Sequence, residues 1–386
     1  MYFYNYTMFI SRLVVYISYV NKIIGVVRMS NGKNRASWRI GFAYAGIVVG
    51  AGFSTGQEVL QFFASHGLIS IVSIIMAAFI LMFVSRQAAK LGHRLDAESH
   101  EGPVKALFGR RLGLIIDYTL VFFLYGIAVV MIAGSGATFN QAFGISPDIG
   151  VLILIVITAG TLLLNFDKIV NIIGGITPLL IIAVVIITTY NILNPTVPYS
   201  EVNNYVDPTR APSKFWWFDS ITYAGLAFAV AFSFLSIMGA GAAKHAIARR
   251  GAIYGGLITL LLMVLVNVGV LSIMPDANEV PLPAMLMAEN MAPWLGTVYS
   301  IIIILLIFNS VVGLMYPFLS RFTEPYSGKY KMLLVVSLIG AFLISKVGFV
   351  ELVNIVYPIL GYIGLAISLA LFIRWLINKN TKKKLL

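Results

Sequence analysis

The sequence predicts an all-α polytopic membrane protein whose ten transmembrane helices form a 5+5 inverted repeat, with helices 1 and 6 broken. Three observations predict this class: the composition, a series of apolar runs and one polar interruption. Hydrophobic residues make up 59% of the chain and charged residues 11%, whereas soluble domains are about 25% charged. The apolar runs have the length of membrane spans, and glycines and polar residues interrupt the first over 46–58.

Ten apolar runs follow one another along the chain, each bounded by polar residues, Gly or Pro. A helix needs about 20 mainly apolar residues to cross the hydrocarbon core of a bilayer. The predicted spans cover residues 37–64, 67–90, 112–140, 148–165, 167–193, 216–240, 250–274, 296–321, 330–345 and 349–377.

The residues ahead of the first span form a separate leader, 1–36. Arg12 and Lys22 interrupt its apolar, tyrosine-rich beginning, and Met29 opens a polar stretch directly before the first span. Two interpretations stand side by side: the residues before Met29 are an upstream mis-start, or they form a surface-lying helix. No function is assigned to them.

The basic residues predict the orientation of the chain. One set of loops holds most of them, including the basic tail 379–386, while the opposite set holds only Arg210, Lys214 and Lys346. Because Lys and Arg concentrate in cytoplasmic loops, both termini are predicted to be cytoplasmic, in a bacterial cell (inner) membrane. The same distribution accounts for the net charge of +12, so nucleic-acid binding is not predicted.

The two halves of the chain resemble each other weakly. The first half, 37–193, and the second half, 216–378, are joined by a predicted extracellular loop over 194–215, and each contains five predicted spans. Val-Asn-Ile recurs at 170–172 and 353–355. An odd number of spans per half requires the halves to be inverted, and the same offset places Ser233 opposite Gly50. We therefore expect a second break in span six near Ser233.

Glycines crowd the middle of the first span. Gly46, Gly50 and Gly52 lie where a simple span would be uniformly apolar, and each interior Gly costs a helix about 1 kcal/mol relative to Ala. A competing interpretation is that Gly46 and Gly50 form a close-packing face between helices. The added Gly52 and the polar residues after it favour a broken helix.

Two overlapping capping boxes follow the glycines. Ser54 is paired with Gln57, and Thr55 with Glu58; such pairs are typical of a helix start. Backbone left unpaired at membrane depth is tolerated only when it is buried in protein or lines a watery cavity. The break is therefore predicted to hold a carboxylate at its N–H groups and a cation at its carbonyl oxygens.

The segment from Gly50 to Glu58, Gly-Ala-Gly-Phe-Ser-Thr-Gly-Gln-Glu, resembles the YkvI-type family of bacterial membrane proteins, which belongs to the amino acid–polyamine–organocation superfamily. The resemblance covers residues 37–378. It implies the inverted-repeat fold of the sodium-coupled amino-acid transporters.

The resemblance also implies that carbonyls of the first span and hydroxyls of span eight bind Na⁺, and two departures bear on that site. Phe53 stands where sodium-coupled members carry an asparagine, which puts a second sodium site in doubt, and Gly56 replaces an arginine gate. The implied cation-coupling residues are Gly46, Val49, Asn309 and Ser310.

Other residues are candidates for solute contact. Gly50, Ala51, Gly52 and Ser54 would hold the solute carboxylate. Their proposed counterparts on other spans are Tyr125, Phe228, Phe232 and Ser233. The aromatic residues are equally compatible with core packing.

Glu58 is the most unusual ionisable residue of the first span. A carboxylate inside a membrane span is costly and usually functional. Two roles fit Glu58. It could carry a proton or form part of a gate, or it could close the capping box of Thr55.

The sequence as a whole predicts a secondary active transporter of an amino acid or similar small zwitterionic or anionic solute, working by alternating access and coupled to Na⁺ or H⁺. The alternative is a membrane solute sensor on the same fold, such as a germinant-receptor-like subunit, without net transport. The predicted partners are a small solute and the lipid bilayer, and a coupling Na⁺ is the one cofactor considered. An enzyme is not predicted, because no catalytic constellation lies at membrane depth and the chain has no cysteine. Substrate identity and oligomeric state stay open.

Overall fold

The computed structural model describes residues 32–97, 100–163, 177–240, 242 and 245–380. The residues before Met29, the Val-Asn-Ile copy at 170–172 and most of the basic tail lie outside the described residues.

The described part of the chain is built from helices, which confirms the all-α membrane class. They are α1 (Gly32–Val48), α2 (Ala51–Thr55), α3 (Gln57–Phe62), α4 (Ser70–Leu95), α5 (Glu101–Phe143), α6 (Pro147–Leu162), α7 (Thr177–Leu193), α8 (Trp216–Ala240), α9 (His245–Ser272), α10 (Met274–Ala277), α11 (Pro283–Met291), α12 (Pro293–Phe322), α13 (Gly328–Ser345) and α14 (Phe349–Asn380). Short 3-10 segments lie at Ala64–Ile69, Val202–Asn204 and Pro208–Arg210. Within the described ranges, seven helical segments are long and apolar enough to cross a membrane, and two shorter ones, Pro147–Leu162 and Ile181–Leu193, are also apolar.

The first predicted span is broken twice, as its glycines suggest. After α1 ends at Val48, Gly50 adopts an extended conformation with φ −74° and ψ −160°, and α2 runs for only five residues. Gly56 then takes the left-handed conformation, φ +79°, before α3 begins. That conformation favours glycine because a Cβ atom would strain it. Gly50 and Gly56 therefore divide the first span into three helices, of which the second and third are short.

Span six contains no second break within its described length, so the break expected near Ser233 is wrong. Helix α8 is continuous over its 25 residues. The two serines nearest the expected break have partners within this continuous helix or beside it: Ser236 Oγ donates to the Phe232 carbonyl at 2.8 Å, and Ser233 Oγ lies 2.7 Å from His100 Nδ1.

The glycines of α8 serve close packing between helices. A Cβ atom on Gly239 would overlap the Ala89 backbone of α4, and one on Gly225 would overlap the Gly361 carbonyl of α14. Small residues allow helix backbones to approach in this way within membranes. Helix α8 therefore lies between α4 and α14 and places its side chains against the broken first span.

Candidate functional site

The break between α1 and α2 faces helix α12. A Cβ atom added to Gly50 would stand 3.7 Å from Ser310 Oγ, so the predicted span-eight hydroxyl lies beside the break. Tyr299, also on α12, donates its hydroxyl to the Ser54 carbonyl at 2.8 Å. Asn309 Oδ1 is buried and has no hydrogen-bond partner among the described residues. The structure thus brings Gly50, Ser54 and Ser310 together around one gap in the first span.

The Glu58 carboxylate lies over Gly52. A Cβ atom on Gly52 would overlap Glu58 Oε1 and would stand 2.7 Å from Tyr357 Oη. Glu58 Oε2 accepts a hydrogen bond from the Tyr223 hydroxyl at 3.4 Å, and Tyr357 donates a second one. Only a residue without a side chain leaves room for this carboxylate at the break, which is a physical reason for glycine at position 52.

Among the described residues, Glu58 has phenol partners but no cationic one. Tyr223 on α8 and Tyr357 on α14 are 1% and 2% exposed, and within the described ranges no Lys, Arg or His forms an ion pair with Glu58. A carboxylate away from water is costly unless it is neutralised or paired. The site can therefore accommodate a proton, a monovalent cation or the ammonium group of a solute.

The two predicted capping boxes do not form. Thr55 Oγ1 accepts from the backbone N–H of Gln57 at 3.2 Å and donates to the Gly52 carbonyl at 2.7 Å. Helix α3 begins at Gln57, directly after the left-handed Gly56, which provides no side-chain cap. Glu58 is thereby released from a capping role and reaches the tyrosines instead.

Helix α3 is also tied to α14 one turn after Glu58. Gln61 Nε2 donates to Asn354 Oδ1 at 2.8 Å. Asn354 belongs to the predicted repeat of Val-Asn-Ile, and its amide satisfies a neighbouring helix. Gln57, at the start of α3, is fully buried, and neither polar atom of its amide has a partner in the described part of the chain.

Two predicted solute contacts lie away from the break. Tyr125 donates its hydroxyl to the Ser337 carbonyl of α13 at 2.8 Å and stacks on Phe318 at 5.0 Å between ring centroids. Ser233 contacts His100. The structure therefore supplies other partners for both residues.

Phe228 and Phe232 are fully buried on α8 and lie edge to face, with ring centroids 5.4 Å apart. This arrangement fits core packing, and their role as a solute-contacting wall stays a prediction.

A polar chain connects Ser233 to helix α12. His100 Nε2 lies 2.8 Å from Asp117 Oδ1, and Arg321 Nη2 lies 2.6 Å from Asp117 Oδ2. The Asp117 side chain is 3% exposed. This chain joins α5, α8 and α12 through the loop that carries His100.

The sequence interpretation missed Tyr223, Tyr299 and Tyr357. A usable signal was present, since a tyrosine inside an apolar span needs a partner for its hydroxyl. The identity of each partner was not readable, because Tyr223 and Glu58 are 165 positions apart.

Sequence comparison finds two similar proteins in Bacillus subtilis (strain 168), while no family model matches the chain. The uncharacterized membrane protein YkvI is 28% identical over 339 residues, covering 88% of this chain and 95% of YkvI. The uncharacterized protein YyaD is 22% identical over 346 residues, covering 89% of this chain and 99% of YyaD.

Solved structures of transporters share the fold. MhsT, crystallised in complex with L-phenylalanine, matches with a TM-score of 0.60 and 13% identity, covering 87% of this chain and 89% of MhsT. The inward-facing conformation of Mhp1 matches with a TM-score of 0.56 and 13% identity over 91% of this chain and 78% of Mhp1. A mutant form of the Eremococcus coleocola manganese transporter matches with a TM-score of 0.53 and 15% identity over 89% of this chain and 78% of that transporter. These comparisons confirm the resemblance to YkvI-type membrane proteins, and the chain is a polytopic membrane protein that shares the fold of these transporters.

Proposed function

We propose that the protein is a secondary active transporter that moves an amino acid or similar small zwitterionic or anionic solute across the bacterial cell membrane by alternating access. The observation that carries this proposal is the doubly broken first span with the Glu58 carboxylate, Tyr223 and Tyr357 gathered over Gly52. Irregular backbone at membrane depth is typical of solute sites in transporters. The proposal keeps the ten-span inverted repeat with both termini in the cytoplasm, but not the predicted break in helix 6.

The solute is proposed to bind in the gap between α1 and α2. Gly50, Ala51, Gly52 and Ser54 contribute the backbone of this gap, and Tyr299 supports it by holding the Ser54 carbonyl. The substrate of the manganese transporter is not carried over, because no group of three or more His, Cys, Asp or Glu residues in the described ranges is arranged to hold a metal ion.

Two places are proposed for the coupling cation. Glu58 is suited to a proton, because the described residues offer its carboxylate phenols and no positive charge. The carbonyls of Gly46 and Val49, with Ser310 and Asn309, are suited to a single Na⁺. Phe53 is 1% exposed and apolar, so it contributes no ligand to a second sodium ion.

Proteoliposome uptake tests the proposal. Purified protein should accumulate one amino acid or related solute when an inward gradient of H⁺ or Na⁺ is imposed. Glu58→Gln mimics a permanently protonated carboxyl group: it should abolish accumulation driven by a pH gradient yet preserve solute exchange between the two sides. Ser310→Ala should reduce only the accumulation that a Na⁺ gradient drives. Saturable binding without flux under either gradient would overturn the transporter proposal in favour of a solute sensor, which the transporter neighbours do not favour.

A further inference from the structure

A second polar site lies outside the broken first span, where the C-terminal part of α4 meets the C-terminal part of α14. A cavity of about 40 Å³ opens there, with Gln87, Lys90 and Arg94 on the α4 side and Arg374 and Trp375 on the α14 side. The distribution of Lys and Arg predicts that these helix ends are cytoplasmic. The cavity is larger than the space that one water molecule needs, so it can admit a small polar group.

Basic residues cluster on the α4 side of this cavity. Arg94 acts as a like charge on both Lys90 and Arg374, and Arg86, one turn before Lys90, adds a third such interaction. No carboxylate in the described part of the chain forms an ion pair with Arg86, Lys90 or Arg94. Several cations held together in this way attract an anion.

Contacts with neighbouring residues hold the α14 side chains of the cavity in place. Arg374 Nη1 donates to the Ala106 carbonyl at 2.9 Å, which fixes the guanidinium group at the cavity. Trp375 lies edge to face with Phe83 of α4, with ring centroids 5.4 Å apart. Tryptophan is enriched at the boundary between lipid and water, so the cavity lies at the depth of lipid headgroups.

An apolar surface continues from the cavity along the outside of α14. Leu369, Phe372 and Ile373, which lie on the bilayer side of Arg374, are 42–58% exposed on this helix. A free phosphate would use only the charged cavity, whereas a phospholipid would use both the cavity and this surface. We propose that the cavity binds the phosphate group of an anionic phospholipid from the cytoplasmic leaflet, with the acyl chains along α14.

This lipid site would join α4 to α14. Its phosphate would contact Lys90 and Arg94 on α4 and Arg374 on α14, and α14 also carries Tyr357, the partner of Glu58. The inference is independent of the proposed transport activity, since it requires only the folded protein.

Titration of the purified full-length protein with phosphatidylglycerol in a neutral detergent tests the site. The melting temperature should rise with phosphatidylglycerol and not with phosphatidylcholine. The double variant Lys90→Gln/Arg94→Gln should raise the half-saturating lipid concentration about thirtyfold, since each basic residue near anionic lipid contributes a factor of about five. Lys90→Arg/Arg94→Lys keeps the charge and should retain the response.

The matched control is Arg110→Gln/Arg111→Gln, which removes two exposed basic residues from α5. It should respond to phosphatidylglycerol as the native chain does. If the control loses the response equally, or if Lys90→Gln/Arg94→Gln keeps it, the site does not exist. Full stabilisation by inorganic phosphate alone would overturn the lipid assignment. Arg374→Gln, on the opposite helix, provides a second variant should the first fail to fold.

Discussion

Two glycines in the break meet different surroundings, although they are only two residues apart. A methyl group on Gly52 would overlap the end of the Glu58 side chain, whereas one on Gly50 would meet only the Ile47 carbonyl at 3.4 Å and Ser310 Oγ at 3.7 Å. Because a glutamate side chain can swing away, Gly52→Ala should displace the carboxylate from its tyrosines at a cost in stability of about 1–3 kcal/mol. We expect Gly52→Ala to abolish uptake driven by a pH gradient while Gly50→Ala retains it. Equal uptake by the two variants would contradict the assigned position of Glu58.

Asp117 should matter for stability far more than Asp148. The Asp117 side chain is 3% exposed and lies between His100 and Arg321, while the pair of Lys346 and Asp148 is about half exposed. Removing one partner of a buried ion pair costs about 3 kcal/mol or more, and an exposed pair contributes less than about 1 kcal/mol. Thermal unfolding in detergent should therefore show a large loss for Asp117→Asn and a small one for Asp148→Asn. Similar losses in the two variants would contradict the buried network.

Single residues were predictable where backbone conformation decides the outcome. The glycines at 50 and 52 predicted an interruption that the structure contains, and Ser310 does lie beside Gly50. The partner of Glu58 was not predictable in the same way. Local spacing pointed to Thr55, but the carboxylate reaches tyrosines on α8 and α14, and contacts so distant in sequence leave no local pattern.

At the scale of elements, the backbones of α4 and α8 approach closely beside the second half of α8. A Cβ atom on Gly92 would overlap the Ser236 carbonyl and stand 2.6 Å from Ser236 Cα. Backbone atoms cannot rotate aside, so Gly92→Ala should separate the helices and lower the melting temperature by several degrees. The control is Gly313→Ala on α12, where no atom of the described structure lies within 4 Å of the added methyl group. It should leave the melting temperature unchanged or raise it, because Ala favours a helix by about 1 kcal/mol over Gly.

The same packing explains why symmetry misled the prediction for span six. A repeat constrains the path of the chain, but it does not require each half to break where the other does. Gly225 and Gly239 resemble the glycines of the first span in sequence, yet they bring α8 against α14 and α4. Glycine alone therefore does not distinguish a break in a helix from a close contact between helices. The polar residues that follow Gly52 make that distinction.

For the whole molecule, the membrane orientation can be tested directly because the chain has no cysteine. Lys214→Cys should react in intact cells with a maleimide that does not cross membranes. Lys329→Cys should react only after the cells are permeabilised, since Lys329 lies in a predicted cytoplasmic loop. Both positions are exposed. The reverse pattern of labelling would invert the predicted topology.

The composition and the apolar runs were sufficient to predict the all-α membrane class, because that class is dictated by the lipid solvent. The close fit of one helix on another was not predictable, because it depends on the matching of two distant surfaces.

The joint at Gly56 has a consequence for pharmacology. A methyl group on Gly56 would stand 2.9 Å from the Ala284 backbone nitrogen, so α3 lies directly on the start of α11. Just ahead of α11, Asp276 and Glu279 lie on the side predicted to be extracellular, and Asp276 is exposed. An antibody fragment raised against these residues would hold α11 still, and with it the segment that carries Glu58. Such a binder is expected to stop turnover from outside the cell without competing with the solute for its site.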